Sequence, residues 1–116
     1  MSLENHILTS EQAHQMSEAG DILLIDVRRE DEWLATGLAP YAKAITMSDP
    51  EFLEKIEDLT EQNKDKSIAI ICAAGGRSAH MCNALINIGY NSIYDVSEGM
   101  SGWVSKALPT SDYKSA

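Results

Sequence analysis

Residues 67–89 read SIAIICAAGGRSAHMCNALINIG. The first five suit a buried strand, and the segment from Arg77 onward has a helical pattern closed by Gly89. Between them lies CAAGG, residues with small side chains that fit a tight strand-to-helix turn. The stretch therefore predicts a strand, a short loop and a helix in immediate succession.

The same alternation extends in both directions. ILLIDV (22–27) is a near-continuous apolar run, as expected of a strand covered on both faces. Before it, TSEQAHQMSEAG places Thr9 three residues ahead of Gln12, the spacing of a capping box, and stops at Gly20. After it, REDEWLATG predicts a short helical turn ending at Gly37, and KAITM (43–47) a brief strand. SDPEFLEKIEDLT offers Ser48 or Asp49 as N-cap and Pro50 at the first helical position. Its apolar stripe is Phe52, Leu53, Ile56 and Leu59, and the acidic run at 51–61 is read as its solvated face. SIYDV (92–96) predicts a further strand, GMSGWVSKAL a last helix, and TSDYKSA, after Pro109, a frayed tail over 110–116. The expected fold class is α/β: a mainly parallel sheet of four or five strands with helices on both faces, the fifth strand weak around residues 6–8. Residues 1–116 read as one domain with a core over about 6–109. In such sheets ligands bind beyond the carboxyl ends of the strands, which is where Cys72 falls.

Composition narrows the function. The chain has 116 residues and a net charge of −9, from 9 basic and 18 acidic side chains. That balance argues against nucleic acid or an anionic membrane as a partner, since phosphate recognition needs a basic face. No apolar run approaches the roughly 18 residues of a membrane span. The opening residues MSLENHILTSEQ show neither a basic nor an apolar leader region, so a cytoplasmic location with reduced thiols is expected. Two cysteines, Cys72 and Cys82, make neither a disulfide framework nor a metal-ligand set.

A thiol reacts as its thiolate, and a strand-to-helix turn favours that anion by aiming backbone N–H groups and the helix dipole at the sulfur. Ala73, Ala74, Gly75 and Gly76 leave room for such an inward-curling amide loop, and Arg77 adds a planar cation suited to an oxyanion. Cys82 shares a helical face with Leu85 and Ile86 and is expected to be buried. His80 lies on the opposite side, toward solvent. Asp26 and Arg28 are expected to pair with each other beneath the loop, and Arg29 to be an ordinary surface arginine. Trp33 and Trp103 are expected as core anchors, and Met100 at the pocket rim.

At these residues the chain resembles a family. CAAGGR matches the C-x-x-G-x-R active-site loop of rhodanese-like sulfurtransferases. DVRREDEW (26–33), TGLAPYAKAI (36–45) and SEGMSGW (97–103) resemble the family's other three segments, in order. Leu38, Tyr41, the inserted Lys43 and Glu98 depart from its usual residues. The resemblance implies sulfur transfer through covalent catalysis, with no metal or organic cofactor. The Cys72 thiolate attacks the outer sulfur of a donor such as thiosulfate, sulfite leaves, and the resulting persulfide passes its sulfur to cyanide, a small thiol or a protein thiol. Phosphatases and arsenate reductases on this fold place five residues between Cys and Arg, whereas four separate Cys72 from Arg77. The shorter loop favours sulfur over phosphate. A persulfide relay between proteins is the alternative, and a non-catalytic binding domain is disfavoured by the presence of both Cys72 and Arg77.

Overall fold

A computed structural model describes residues 6–114. The first five residues of the stretch read for a leader, and residues 115 and 116 of the expected tail, lie outside that range. The strands are β1 (Leu23–Asp26), β2 (Lys43–Ala44), β3 (Ile68–Ile71) and β4 (Ile93–Asp95). They pair in the order β2-β1-β3-β4, all parallel. Among the described residues the helices are α1 (Ser10–Glu18), α2 (Glu30–Thr36), α3 (Phe52–Thr60), α4 (Gly76–Asn87) and α5 (Gly99–Ser105). The expected fifth strand is a single parallel bridge, Ile7 to Asp95, at the β4 edge.

Both faces of the sheet are covered, which is why β1 and β3 are apolar without alternation. Ile68, Ile70 and Cys72 turn to one side, where α3 and α4 supply Phe52, Ile56, Cys82 and Leu85. Ala69 and Ile71 turn to the other, against Ala13 of α1 and Met100 and Trp103 of α5. Cys72 thus continues the side-chain alternation of β3 and arrives beneath the start of α4. The strand order reverses between β1 and β3, so their carboxyl ends open the crevice expected of this topology.

The Thr9–Gln12 capping box forms with both hydrogen bonds present. Four expectations need correction. Helix α3 starts at Phe52 rather than Pro50, and its N-cap is Glu51, without a side-chain cap, rather than Ser48 or Asp49: the Asp49 carboxylate accepts from Glu51 N–H at 2.8 Å within the turn that takes up Pro50 and Glu51. Of its apolar stripe only Phe52 and Ile56 are buried, while Leu53 and Leu59 face solvent. The tail is tied down as far as residue 113. Ser111 exchanges backbone hydrogen bonds with Leu38, the Pro109 carbonyl accepts from Trp103 Nε1 at 2.8 Å, and Tyr113 packs on Trp33. β2 is shorter than expected, yet Ile45 and Met47 N–H still bond to the Asp26 and Val27 carbonyls.

One buried ion pair fixes the end of β1. Asp26 is fully buried and accepts from Arg28 Nε at 3.1 Å, Arg28 N–H at 3.0 Å and Trp33 Nε1 at 3.0 Å. The other guanidinium nitrogens of Arg28 reach Asp26 at 3.0 Å, Thr36 Oγ1 at 2.9 Å and the Gly37 carbonyl at 2.9 Å. The pair expected beneath the loop is therefore present, and it ties α2 to β1. Removing the carboxylate leaves a buried guanidinium uncompensated, which costs about 3–5 kcal/mol. Asp26→Ala should lose that much in urea unfolding, whereas Trp33→Phe, which gives up one hydrogen bond, should lose only about 1 kcal/mol from that bond. Equal losses for the two variants would contradict this assignment.

Candidate active site

The loop 72–77 closes around one sulfur. Gly75 N–H donates to Cys72 Sγ at 3.1 Å and Ser78 N–H at 3.3 Å, both from the entry into α4. Burial pushes the Cys72 thiol up, but the Ser78 hydroxyl and the N–H groups of Ser78, Gly75 and Ala74 outweigh it, and the net shift is downward. These are the amides and the helix start that the sequence places there. Gly75 makes the curl possible: its φ is +109°, and a Cβ would meet the Ser97 carbonyl at 2.7 Å. Gly76 is different, for it opens α4 and a Cβ there would meet nothing. The residue Cys72 is only 1 % exposed, so the sulfur sits behind its loop.

The loop is held from below by α5. Met100 N–H donates to the Cys72 carbonyl at 2.8 Å and Ser101 N–H to the Ala73 carbonyl at 3.0 Å. Gly99, at φ +62°, lets the two backbones approach: a Cβ there would lie 2.7 Å from the Cys72 carbonyl oxygen and nearer still to that of Ala73. Glu98, one of the departures from the family pattern, needs no glycine conformation, with φ −70°. Its carboxylate accepts from Ser10 N–H and pairs with Lys106.

Arg77, expected to close the loop as an anion clamp, has a carboxylate partner of its own: its guanidinium forks onto Glu32 of α2, with nitrogen–oxygen distances of 2.6 and 2.8 Å. Arg77 hydrogen-bonding, against burial and with help from Arg29 N–H, holds the Glu32 carboxyl down to about 2. Arg77 and Arg28 thus each carry a carboxylate partner. Arg29 is exposed and pairs with Asp31. Beside the loop, between α2 and α5, opens a cavity of about 490 Å³ lined by Arg28, Glu32, Ala35, Thr36, Ala73, Met100 and Val104, among others.

The remaining candidates fall where their sequence context puts them. His80 is exposed on the outer side of α4. Cys82 is fully buried, donates to the Tyr94 carbonyl at 3.4 Å, and is pushed strongly up, first by burial. Trp33 and Trp103 are buried anchors, and Met100 is both buried and on the cavity wall. Among the described residues no cluster of His, Cys, Asp or Glu could hold a metal ion, and no helix is long and apolar enough to cross a membrane. Two residues given no role from sequence join the site. Ser78, with its hydroxyl, follows Arg77 directly, and Asp95 accepts from that hydroxyl at 2.6 Å. The signal available was an ionisable residue inside the short apolar strand SIYDV.

A strand-end cysteine in an amide loop, on a parallel sheet with this topology, defines a class of sulfur- or oxyanion-handling domain. Comparison narrows it: the chain belongs to the rhodanese-like domain family, whose model matches residues 9–106. It is 38% identical over 90 residues to the putative sulfurtransferase YtwF of Bacillus subtilis, covering 77% of this chain and 80% of that one. It is 30% identical over 105 residues to a sulfurtransferase of Allochromatium vinosum, covering 90% and 92%. The structure of a polysulfide-sulfur transferase from Wolinella succinogenes superposes with a TM-score of 0.73 at 28% identity, over 94% of this chain and 80% of the other. A tRNA uridine(34) hydroxylase of Acinetobacter baumannii also matches at 27% identity, but the chain covers only 34% of it. The family is thus that of rhodanese-type sulfurtransferases.

Two predictions follow from the loop's supports. Glu32 is depressed in the folded state, so its pairing with Arg77 stabilises the fold fully above about pH 4.5, the ordinary glutamate range, and less as pH falls toward 2. The stability gap between wild type and Glu32→Gln, followed by urea unfolding, should shrink over that window; a gap independent of pH would contradict the pairing. Gly99→Ala should slow alkylation of Cys72 at neutral pH, because the methyl group drives the Cys72 and Ala73 carbonyls off α5. An unchanged rate would show that the loop does not depend on that contact.

Proposed function

We propose that the protein moves sulfane sulfur by way of a persulfide on Cys72. The observation that carries this reading is the convergence of the Gly75 and Ser78 amides on one sulfur at 3.1 and 3.3 Å. The thiolate attacks the outer sulfur of a donor R–S–S⁻ or of thiosulfate. One S–S bond forms on Cys72 as another breaks, and the thiolate or sulfite leaves with the electron pair. The terminal sulfur then occupies the place where the loop amides point, as an oxyanion occupies its hole. Cyanide, a small thiol or a protein thiol takes that sulfur and restores the Cys72 thiolate. No step calls on a metal or an organic cofactor.

The donor is where the site's electrostatics speak. Thiosulfate is a dianion, and the two nearest guanidinium groups already serve Glu32 and Asp26. The cavity beside the loop presents Ala35, Ala73, Met100 and Val104. These features support a second reading, a singly charged persulfide with an aliphatic body, either small or displayed on a partner protein. The net charge of −9 disfavours a dianion further.

Steady-state transfer to cyanide, scored as thiocyanate, tests both statements. Cys72→Ser should fall to the uncatalysed rate with every donor, a loss of about a thousandfold or more. Wild type should show a higher kcat/KM for an alkyl persulfide than for thiosulfate. Transfer surviving in Cys72→Ser would overturn the nucleophile, and preference for thiosulfate would overturn the second reading alone.

A further inference from the structure

Asp95 is an acid in a place where packing asks for none. It ends β4, 6 % exposed, and among the described residues no Lys or Arg side chain lies within ion-pair distance of it. A buried carboxylate without a cation is costly unless hydrogen bonds or a proton compensate it. Its Oδ1 accepts from Ser78 Oγ at 2.6 Å, a shorter contact than the 3.0 Å one from the same hydroxyl to the competing Gly75 carbonyl. The same Ser78 oxygen lies 3.5 Å from Cys72 Sγ, placed to accept the thiol proton. Ser78 is itself fully buried. Thiol, hydroxyl and carboxylate therefore form a continuous S–H···O–H···O chain closed off from water.

We propose that Asp95 receives the proton of the Cys72 thiol through Ser78, so that the thiolate forms inside the buried site with no change in its net charge. The S–H bond breaks and its proton goes to Ser78 Oγ. At the same time the Ser78 hydroxyl proton passes to Asp95 Oδ1. The reversed hydroxyl then donates to the sulfur. One negative charge is present before and after, and no electrons change hands. Releasing the proton to water instead leaves two buried anions joined by one serine. Asp95 acts through Ser78, and is a positioning residue rather than a catalytic one.

The electrostatic balance agrees with the geometry. Burial raises the Asp95 carboxyl, only partly offset by the Ser78 hydrogen bond, while Cys72 is lowered. The two groups are driven toward each other, as proton sharing requires. The groups facing Asp95 are few. From α4 come Ser78 and Cys82, whose thiol is raised by burial first and then by the Asp95 and Cys72 charges. From the end of β3 comes Cys72. The segment 6–8 meets Asp95 through its backbone, Asp95 N–H donating to the His6 carbonyl and Leu8 N–H to the Asp95 carbonyl, while the His6 ring packs against Tyr94.

The inference rests on Cys72 as the reacting thiol. Its test is the pH profile of iodoacetamide alkylation at Cys72, located by peptide mass, for wild type, Asp95→Asn and Ser78→Ala. Coupled groups titrate as a pair. Wild type should therefore show two steps, with a plateau of partial reactivity between them. Asparagine takes no proton, so Asp95→Asn should lose the plateau and show one step lying between the wild-type pair. Ser78→Ala should also lose the lower step, with its midpoint moved to higher pH because the thiolate has lost a donor. A single step in wild type, or an Asp95→Asn profile that keeps both wild-type steps, would overturn the proposal. Should Asp95→Asn fail to fold, wild type against Ser78→Ala decides it. Absence of sulfur transfer with the two-step profile intact would sink the function and leave the relay standing.

Discussion

The carbonyl groups of Cys72 and Ala73 rest on the first amides of α5 with only the hydrogen of Gly99 between the backbones. Most of what the site does depends on that contact. A chain leaving a central parallel strand ordinarily runs on toward its helix, and its amides point where the turn happens to send them. Here two N–H groups from a separate element pull the carbonyls downward. The Ala74 amide, on the other side of the Ala73 peptide unit, is then left to favour the sulfur's anion. Gly75, at positive φ, and the start of α4 complete the ring, while the Ser97 carbonyl closes off the space where a Gly75 side chain would go.

The electrostatics follow from the same arrangement. A protein with a net charge of −9 holds a thiol whose ionisation is favoured mainly by dipoles, namely three amides and a hydroxyl. The guanidinium that ends the loop is committed to Glu32, and the one beneath is committed to Asp26. These ion pairs brace α2 against the loop and against β1, so they shape the site more than they charge it. On the proposed function, a neutral cradle of this kind would stabilise a terminal sulfur without also attracting every small dianion in solution.

The layers of the fold were legible because their signals are local. ILLIDV and SIAII declare doubly covered strands, and Thr9 with Gln12 declares where α1 begins. The nucleophile and its amides were legible for the same reason, since a strand, small residues and a helix start follow one another within a dozen positions. What could not be read depends on contacts between distant segments. Arg77 and Glu32 are 45 positions apart, and nothing in either segment says that they meet. Ser78 and Asp95 come together only because β4 lies beside β3. Leu53 and Leu59 fit a helical stripe, but the helix they sit on is rotated so that Phe52, Ile56 and Thr60 face the sheet. The tail has the composition of a frayed end, yet Ser111 finds Leu38, and Trp103 finds the Pro109 carbonyl. Rhodanese-like domains are recognisable from the loop for this reason, while the details that tune the loop belong to the folded chain.

The central claim is that Cys72 itself carries the sulfur. The intact mass of the protein, taken after exposure to an alkyl persulfide or to thiosulfate and removal of the excess, tests it most directly. Wild type should gain one sulfur atom, located on the peptide that contains Cys72, removed by cyanide, and absent from Cys72→Ser. An unchanged mass with both donors, or a gain that persists in Cys72→Ser or maps to Cys82, would contradict it.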